Sequence, residues 1–240
     1  MYIIRSWADT IYNGIAKSGL SPKKEYLYSD LGFMLLKQLV DTVTHVPFDA
    51  YLDSAFYRKL GADRLCFNPL NRFSKKEIAP TEDDQLFRKQ LVHGYVHDPR
   101  AAMLGGVSGH AGLFGDALDV AKVLQMMLNH GEYGDERFIT PETIALFTEK
   151  PLSAGNRRGL GFDKPEPDKS KPQPTCDGPS PSSYGHTGFT GNMIWVDPAY
   201  DLIYVFLSNR VYPDAENTKL AEMNVRTNVQ QAVYNALIKH

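Results

Sequence analysis

Two short segments carry the side chains best suited to chemistry, and the first consists of Tyr28, Ser29 and Asp30. They stand directly before a strongly amphipathic stretch, where a tyrosine can project into a cleft. The hydroxyl of tyrosine has an ordinary pKa of about 10, so Tyr28 can act as a base only where cationic neighbours stabilise its phenolate. In the alternative interpretation, Ser29 or Asp30 merely caps the following helix and Tyr28 packs on the surface.

The second segment is the glycine-rich run Gly185–Gly191, which contains His186, Thr187, Gly188 and Phe189. Glycines in this pattern let backbone N–H groups point at a ligand, as an oxyanion hole requires. In the alternative interpretation, the glycines serve only an edge strand that bulges. Both interpretations place the segment on the first strand of a sheet.

Helices are predicted for most of the chain around the first segment. Apolar spacing and capping residues indicate helices over residues 7–17, 29–42, 47–60 with Gly61 as the stop, 116–130, 140–149 and 218–240. Leu31, Leu35 and Leu39 are expected to form the buried face of the second helix, because they recur at i, i+4 and i+8. Asp116 and Thr140 are the predicted N-caps of the fourth and fifth helices.

Strands are predicted for the glycine-rich segment and for the chain after it. Residues 183–190, 193–196 and 202–207 form the candidate strands, and Asp197–Asp201 joins the last two as a hairpin. The final helix is suited to covering this sheet. The predicted fold class is α/β of the α+β type, with an antiparallel sheet flanked by helices and a helical subdomain.

The remaining chain is expected to run over the surface. Residues 66–96 are predicted to be irregular, 104–115 to form tight turns, and 151–181 to form a long loop that holds 7 of the 15 prolines. The charged stretch Lys164–Lys171 is interpreted as solvated. The predicted organisation is one partial domain over 1–240, mainly helical at about 26–150, with a proline-rich surface loop at 151–182 and the sheet and C-terminal helix at 183–240.

Composition and charge exclude several classes of function. A content of 42% hydrophobic and 22% charged residues is typical of a globular chain with a sizeable core. The formal net charge of −2 leaves no basic surplus for a phosphate backbone, so no nucleic-acid partner is expected. The longest apolar run, Leu202–Leu207, is far shorter than the roughly 18 residues of a membrane span. No transmembrane helix is therefore expected.

The sequence predicts neither a metal nor a cofactor. His93 and His97 are four residues apart and precede Asp98, a spacing that could place metal ligands on one helix face. The proline after Asp98 argues against a helix there, and no further ligands follow at a suitable spacing. Cys66 and Cys176 are too few for a zinc ribbon or a disulfide scaffold.

In their order along the chain, these motifs resemble the superfamily of serine β-lactamases, penicillin-binding proteins and esterases, in its class C-like branch. Tyr28-Ser29-Asp30 is similar to the second motif of that superfamily, tyrosine, small residue, asparagine, with aspartate in third place. His186-Thr187-Gly188 is similar to the third motif, lysine, threonine, glycine, in its histidine variant. Val96–Ala101 and Gly109–Phe114 also resemble this branch. The resemblance spans nearly the whole chain and implies a β-lactamase-like fold.

The superfamily's nucleophile is a serine three residues before a lysine, at the start of a helix well upstream of the tyrosine motif. The match at Ser21–Lys24 is interpreted as chance, because it is too close to Tyr28 for an intervening helix. Ser74 and Ser170 fit neither the spacing nor the order. The resemblance therefore implies that the chain begins after the nucleophile helix and lacks the two N-terminal strands of a five-stranded sheet.

The resemblance implies acyl-enzyme chemistry on an amide, ester or peptidoglycan-like substrate. Tyr28 and the absent lysine would move the proton of the absent serine, and the N–H of Phe189 would help to hold the oxyanion. His186 would orient the substrate carboxylate or tune Tyr28, and Asp30 would hydrogen-bond substrate and lysine. The charge of Asp30 disfavours an anionic β-lactam. The expected substrate-binding residues are Ser29, Thr187, Gly188 and Phe189.

Three interpretations stay open on this basis. In the first and favoured one, the chain is the C-terminal portion of a serine hydrolase, inactive by itself and part of a larger polypeptide such as a fusion to a family 3 glycoside hydrolase module. In the second, it is a binding module without a nucleophile that takes peptide or cell-wall fragments. In the third, it is a scaffold or interaction domain.

Localisation and assembly depend on the same question of what precedes Met1. The segment Met1–Asp9 has an arginine where a signal peptide needs an apolar core. An upstream export signal would make the protein periplasmic or secreted, whereas a native start at Met1 would make it cytoplasmic. Without the N-terminal strands, the sheet is expected to expose an edge beside Leu202–Leu207 through which the chain forms homodimers.

Overall fold

The structure is a computed structural model that describes residues 7–22, 26–149 and 156–237. Its helices are α1 (Trp7–Ala16), α2 (Leu31–Thr44), α3 (Phe48–Leu52), α4 (Pro99–Met103), α5 (Ala117–Leu128), α6 (Pro141–Thr148), α7 (Lys219–Glu222) and α8 (Val225–Leu237). Its strands are β1 (Cys66–Phe67), β2 (Pro80–Asp84), β3 (Gln90–His93), β4 (Leu113–Phe114), β5 (Glu132–Tyr133), β6 (Glu136–Arg137), β7 (Tyr184–Thr187), β8 (Met193–Asp197) and β9 (Leu202–Phe206).

The chain forms two compact units. The first unit comprises the described residues up to Arg58, together with Asp63–Gly115 and Tyr212–Ala215. The second unit comprises Lys59–Ala62, the described residues from Asp116 to Val211, and those from Glu216 onward. The predicted class is confirmed: helices combine with small antiparallel sheets in both units.

A hairpin of strands β2 and β3 occupies part of the first unit that was expected to be irregular. Arg88, in the turn of this hairpin, donates hydrogen bonds to Glu82 at 2.6 Å and to Asp84 at 2.8 Å. The side chains of all three are only 7% exposed. The expectation of an irregular segment over 66–96 was wrong because the buried side chains of β2 are polar, so no apolar alternation marks the strand.

Helix α2 lies where the sequence predicts it, but its buried face is not the predicted one. Met34 is its fully buried residue, with 1% exposure, whereas Leu35 and Leu39 are 40% and 53% exposed. Apolar spacing identifies which side of a helix is apolar, but it cannot say which part of that side another element covers.

The predicted helix over 47–60 is present in modified form. Helix α3 continues into a turn of π-helix at Asp53–Tyr57, and such turns are rare local departures from α-helical geometry. Gly61 has a φ of +64°, which confirms it as the predicted stop, because this conformation favours glycine.

The second unit is built on the antiparallel sheet β7–β8–β9, the three strands predicted from the sequence. Alternate side chains of a strand face opposite sides of the sheet. On one side, Leu124 of α5 packs in a cluster with Tyr184 and Val196. On the other side, Val233 of α8 packs against Trp195 and its neighbours. The sheet therefore has a helix on each face.

A buried hydrogen-bond cluster ties α8 to this sheet. The Tyr234 hydroxyl donates to Asp197 Oδ2 at 2.8 Å, and neither residue is exposed. Asp197 also accepts hydrogen bonds from the backbone N–H and the hydroxyl of Ser180. One carboxylate at the end of β8 thereby joins the last helix and the loop before β7.

The two predicted N-caps are confirmed, but the C-terminal helix differs from its prediction. Asp116 and Thr140 accept hydrogen bonds from the backbone N–H groups of Asp119 and Thr143. The single helix predicted over 218–240 is broken into α7 and α8 at Asn224, whose φ of +50° is incompatible with a continuous helix. Residues 238–240 lie outside the described part of the chain.

The proline-rich region is less exposed than the sequence indicates. Residues 151–155 of the predicted loop lie outside the described residues, but Asp163, Lys164 and Glu166 are 1%, 8% and 5% exposed. The ammonium group of Lys164 donates to the backbone carbonyls of Thr148 and Ser182. The interpretation of Lys164–Lys171 as a solvated stretch was therefore wrong for Lys164 and Glu166, because specific partners compensate for the burial of their polar groups.

Within residues 7–22, 26–149 and 156–237, we find no helix with the length and apolar character needed to cross a bilayer.

We expect Tyr234→Phe to lower the free energy of unfolding by about 1–3 kcal/mol, because it leaves buried Asp197 short of one hydrogen-bond donor. Urea unfolding of the two proteins measures the difference. Tyr200→Phe is the matched control, since Tyr200 contacts the Tyr234 ring but is 41% exposed. An equal loss in both variants would show that the Tyr234 hydroxyl contributes nothing specific.

We also expect the isolated chain to self-associate through strand β9. In the described part of the chain, β9 pairs only with β8, and an apolar strand with an unpaired edge is a template for another strand. Sedimentation velocity over a concentration series measures the assembly. A single monomeric species throughout the series would contradict this expectation.

Candidate functional site

The first predicted group lies in the first unit, immediately before α2. Tyr28 is 54% exposed, and the Ser29 hydroxyl accepts a hydrogen bond from the backbone N–H of Leu31 at 3.3 Å. Asp30 directly precedes the helix, but its side chain makes no capping hydrogen bond. Of the two caps in the alternative interpretation, Ser29 therefore makes the side-chain hydrogen bond, and the Asp30 carboxylate has a different partner.

That partner is Arg100, on α4. Its guanidinium donates to Asp30 Oδ2 at 2.7 Å and lies 3.4 Å from Asp98 Oδ2. The other oxygen of Asp98 is 2.9 Å from His110 Nε2, and His110 Nδ1 is 2.9 Å from the Ser108 hydroxyl. A continuous network thus runs from Asp30 to Ser108, and it contains residues from both additional segments that resemble the superfamily.

The backbone N–H of Ala101 and the side chain of His110 set the charge state of Asp98. Partial burial opposes ionisation of the carboxyl group, but hydrogen bonds from His110 and Ala101 and the charges of His110 and Arg100 outweigh it. The pKa of Asp98 is consequently held well below its ordinary value. Asp98 is therefore a carboxylate at neutral pH and can hold both Arg100 and His110.

A close backbone contact places the glycine-rich turn beside the start of α2. A side-chain carbon at Gly109 would lie 2.2 Å from the backbone oxygen of Phe33, a distance that no real contact allows. Glycine at position 109 therefore lets the loop that carries Ser108 and His110 approach the helix that follows Asp30.

Ligand atoms of Asp30, Asp98 and His110 lie within 4.8 Å of one another, so these three residues are the group in the described chain that could hold a metal ion. Arg100 already contacts both carboxylates, and a cation would have to compete with it. The two histidines considered from the sequence have separate partners: His93 Nε2 contacts the carbonyl of Ile78, and His97 Nδ1 lies 2.8 Å from Glu82.

The second predicted group lies in the second unit, on strand β7 and the turn after it. Gly185 is required on this strand, because a side-chain carbon there would lie 2.1 Å from the backbone oxygen of Ile194. The backbone of Gly185 also forms two hydrogen bonds with Asp163, at 2.7 and 2.9 Å. These contacts fix the strand that carries His186.

Both ring nitrogens of His186 have partners within the second unit. Nδ1 is 2.7 Å from the backbone oxygen of Thr187, and Nε2 is 2.8 Å from a guanidinium nitrogen of Arg158. The same guanidinium contacts Asp163 Oδ1 at 2.6 Å. His186 is therefore held from two sides.

Two arginines hold the turn at Gly188 and Phe189. Arg226 donates to the backbone oxygen of Gly188 at 3.4 Å, and Arg210 donates to that of Phe189 at 2.8 Å while it stacks on the Phe189 ring, 4.5 Å from the centroid. Burial and the nearby charge of Arg210 lower the pKa of Arg226 from its ordinary value. Positive charge is therefore concentrated around the third motif.

The sequence does not indicate the four arginines that contact the candidate site residues, which are Arg100, Arg158, Arg210 and Arg226. Arg100 lies in the segment Val96–Ala101, which resembles the superfamily, but nothing in the spacing of that segment indicates that Arg100 binds Asp30. Arg158 lies in the region expected to be a surface loop, and Arg210 and Arg226 follow the sheet with no motif around them. Of the chance match Ser21–Lys24, the lysine lies outside the described residues.

Comparisons with known proteins agree with the resemblance of the two motifs to the β-lactamase superfamily. The sequence model of the Beta-lactamase family matches residues 7–226. A protein of Salmonella gallinarum described as a candidate D-alanyl-D-alanine carboxypeptidase is 36% identical over 212 residues, which cover 83% of this chain and 48% of that protein. This chain thus spans about half the length of the curated relatives it matches.

Solved structures agree at the level of the fold. A β-lactamase from Mycobacterium bovis superposes with a TM-score of 0.59 at 21% identity, covering 88% of this chain and 64% of that one. A penicillin-binding protein homologue from Caulobacter crescentus superposes with a TM-score of 0.57 at 17% identity, covering 85% and 59%.

We expect Asp98→Asn to lower the free energy of unfolding by about 1–3 kcal/mol at neutral pH. The folded-state pKa of Asp98 lies below its unfolded value, so its stabilisation is complete above about pH 5 and is lost progressively as the pH falls towards the lowered folded-state pKa. The difference between wild type and variant should therefore shrink as the pH is lowered from about 5 to about 2.

Urea unfolding as a function of pH measures this difference. Asp135→Asn, in the exposed turn between β5 and β6, is the matched control and should show no such trend. A stability difference for Asp98→Asn that stays constant across the acid range would contradict the assignment.

Proposed function

This chain belongs to the β-lactamase family, and from that premise we propose that it is the C-terminal part of a serine hydrolase that acts through an acyl-enzyme on a peptide-like substrate. The observation that carries the proposal is the placement of Tyr28, Ser29 and Asp30 before α2, with Asp30 held by Arg100. In this proposal, Tyr28 would serve as the proton carrier of the reaction.

The nucleophile would lie in a segment that precedes residue 1 in a longer protein. The chain spans 48% of the Salmonella relative, and a serine three residues before a lysine is the expected form of the missing motif. Such a serine would attack the carbonyl carbon of the substrate, and its proton would pass through Tyr28 and that lysine to the leaving group.

The other predicted residues have complementary roles in this proposal. The N–H of Phe189 would donate to the developing oxyanion, and Thr187 and Gly188 would line the path of the substrate. Arg210 and Arg226 hold that turn by its carbonyl groups, which would preorganise the Phe189 N–H as an oxyanion donor. Asp30, neutralised by Arg100, would hydrogen-bond the substrate or the lysine.

The favoured substrate is a peptide with a free terminal carboxylate. The name of the Salmonella relative points to D-alanyl-D-alanine peptides for that protein. In this chain, Arg210 and Arg226 add positive charge around the third motif. Because Arg100 offsets the charge of Asp30, the aspartate weighs less against an anionic ligand than the sequence alone suggests.

The second candidate function is a binding module without a nucleophile, specific for peptide or cell-wall fragments. The observation that favours it is the position of the match Ser21–Lys24, which is followed by only three residues before Tyr28. No helix of the required length fits between them. A reading frame that starts at Met1 would move this function to first place.

We expect the protein encoded by the full reading frame to be labelled by a fluorophosphonate, and the 240-residue chain to be neither labelled nor able to hydrolyse a chromogenic cephalosporin or short-chain esters. In the longer protein, Tyr28→Phe should slow acylation by roughly 10²–10⁴-fold, because it removes the proton carrier. Tyr26→Phe, which alters an exposed tyrosine two residues earlier, is the matched control.

Two outcomes would overturn this function. Turnover by the 240-residue chain that disappears in Ser21→Ala would identify Ser21 as the nucleophile. A stop codon directly upstream of Met1, combined with saturable binding of muropeptides and no labelling, would establish the binding module instead.

A further inference from the structure

The third motif of this chain has histidine in place of the lysine of its more general form, and the two side chains differ in hydrogen bonding. A lysine ammonium group can only donate, whereas each nitrogen of a neutral imidazole either donates or accepts. The contacts of His186 therefore determine which form of the ring this fold selects.

The contacts of the two ring nitrogens are compatible with only one neutral tautomer of His186. A guanidinium has no acceptor and stays protonated in proteins, so His186 Nε2, 2.8 Å from Arg158 Nη1, must accept. A backbone carbonyl has no proton to donate, so His186 Nδ1, 2.7 Å from the oxygen of Thr187, must donate. The ring thus carries its single proton on Nδ1 and is uncharged.

Arg158 is itself anchored to the strand that carries His186. Its Nε contacts the carboxylate of Asp163 at 2.6 Å, and Asp163 is only 1% exposed. The backbone of Asp163 in turn forms two hydrogen bonds with Gly185, the residue before His186. An arginine held in this way loses little further freedom on binding the imidazole.

We propose that Arg158 is a positioning residue of the third motif, which holds His186 as the neutral tautomer protonated on Nδ1. His186 then acts as neither general acid nor general base, because Nε2 is occupied by a donor and Nδ1 by an acceptor. Proton transfer falls to Tyr28; this consequence rests on the proposed hydrolase function, whereas the tautomer itself does not.

The test is ¹⁵N NMR of the imidazole groups in the 240-residue chain at about pH 8, where an unperturbed histidine is neutral. The His186 resonances are identified by their loss in His186→Gln. We expect the pattern of a single tautomer protonated on Nδ1 in the wild-type chain. In Arg158→Gln, Thr187 still favours a proton on Nδ1 but the Arg158 donor is gone, so we expect the Nε2-protonated tautomer to appear as a second population.

Arg157→Gln is the matched control, since Arg157 also lies beside Asp163, at 3.3 Å, but has no hydrogen bond to His186. It should leave the His186 pattern unchanged. If Arg158→Gln fails to fold, the wild-type spectrum decides alone: an Nε2-protonated or charged ring contradicts the proposal. An unchanged pattern in folded Arg158→Gln also contradicts it.

A kinetic measurement extends the test to the longer protein. Arg158→Gln should lower kcat/KM by at least tenfold, whereas Arg157→Gln should not. Failure of fluorophosphonate labelling would overturn the hydrolase function but leave the tautomer result intact. A wrong tautomer with normal labelling would overturn only the role of Arg158.

Discussion

A charge removed from water must be compensated, and pairs of arginine with carboxylate provide this compensation at several places in the structure. Arg88 with Glu82 and Asp84 holds a hairpin whose buried side chains are polar. Arg158 pairs with buried Asp163 in an otherwise irregular segment, and the backbone of Asp163 joins that segment to Gly185 of strand β7. These ion pairs stabilise segments that have few buried apolar side chains. Apolar packing does the same elsewhere, for example between α5 and the sheet.

The same kind of pair positions both candidate groups. Asp30 is held by Arg100 rather than by the end of its own helix, and His186 is held by Arg158. An arginine presents several donors in a rigid plane, so one side chain can bind a carboxylate and a second acceptor at the same time. One side chain of each group, Asp30 in the first and His186 in the second, is thereby held in place.

The regular elements with apolar periodicity were predictable from the sequence, and the elements stabilised by polar contacts were not. The helices near residues 31–44, 117–128 and 141–148 and the strands β7, β8 and β9 follow apolar spacing and capping signals. The β2–β3 hairpin has neither, because its buried residues include Glu82 and Asp84. Lys164 is buried against distant carbonyl groups, a contact that no local pattern reveals. Leu35 and Leu39 show that the reverse error also occurs. Both lie on the predicted apolar face of α2, but no other element of the described chain buries them.

By itself, the sequence determined the family, the order of its motifs and the side chains that could do chemistry, because these depend on residue type and local spacing. Only the tertiary structure decided which charges pair: Asp30 lies 70 positions from Arg100 and His186 lies 28 positions from Arg158. Such contacts depend on how the chain folds back on itself, and they set the charge of Asp30's surroundings and the tautomer of His186. The apolar periodicity of the sequence indicates neither the partner of Asp30 nor the tautomer of His186.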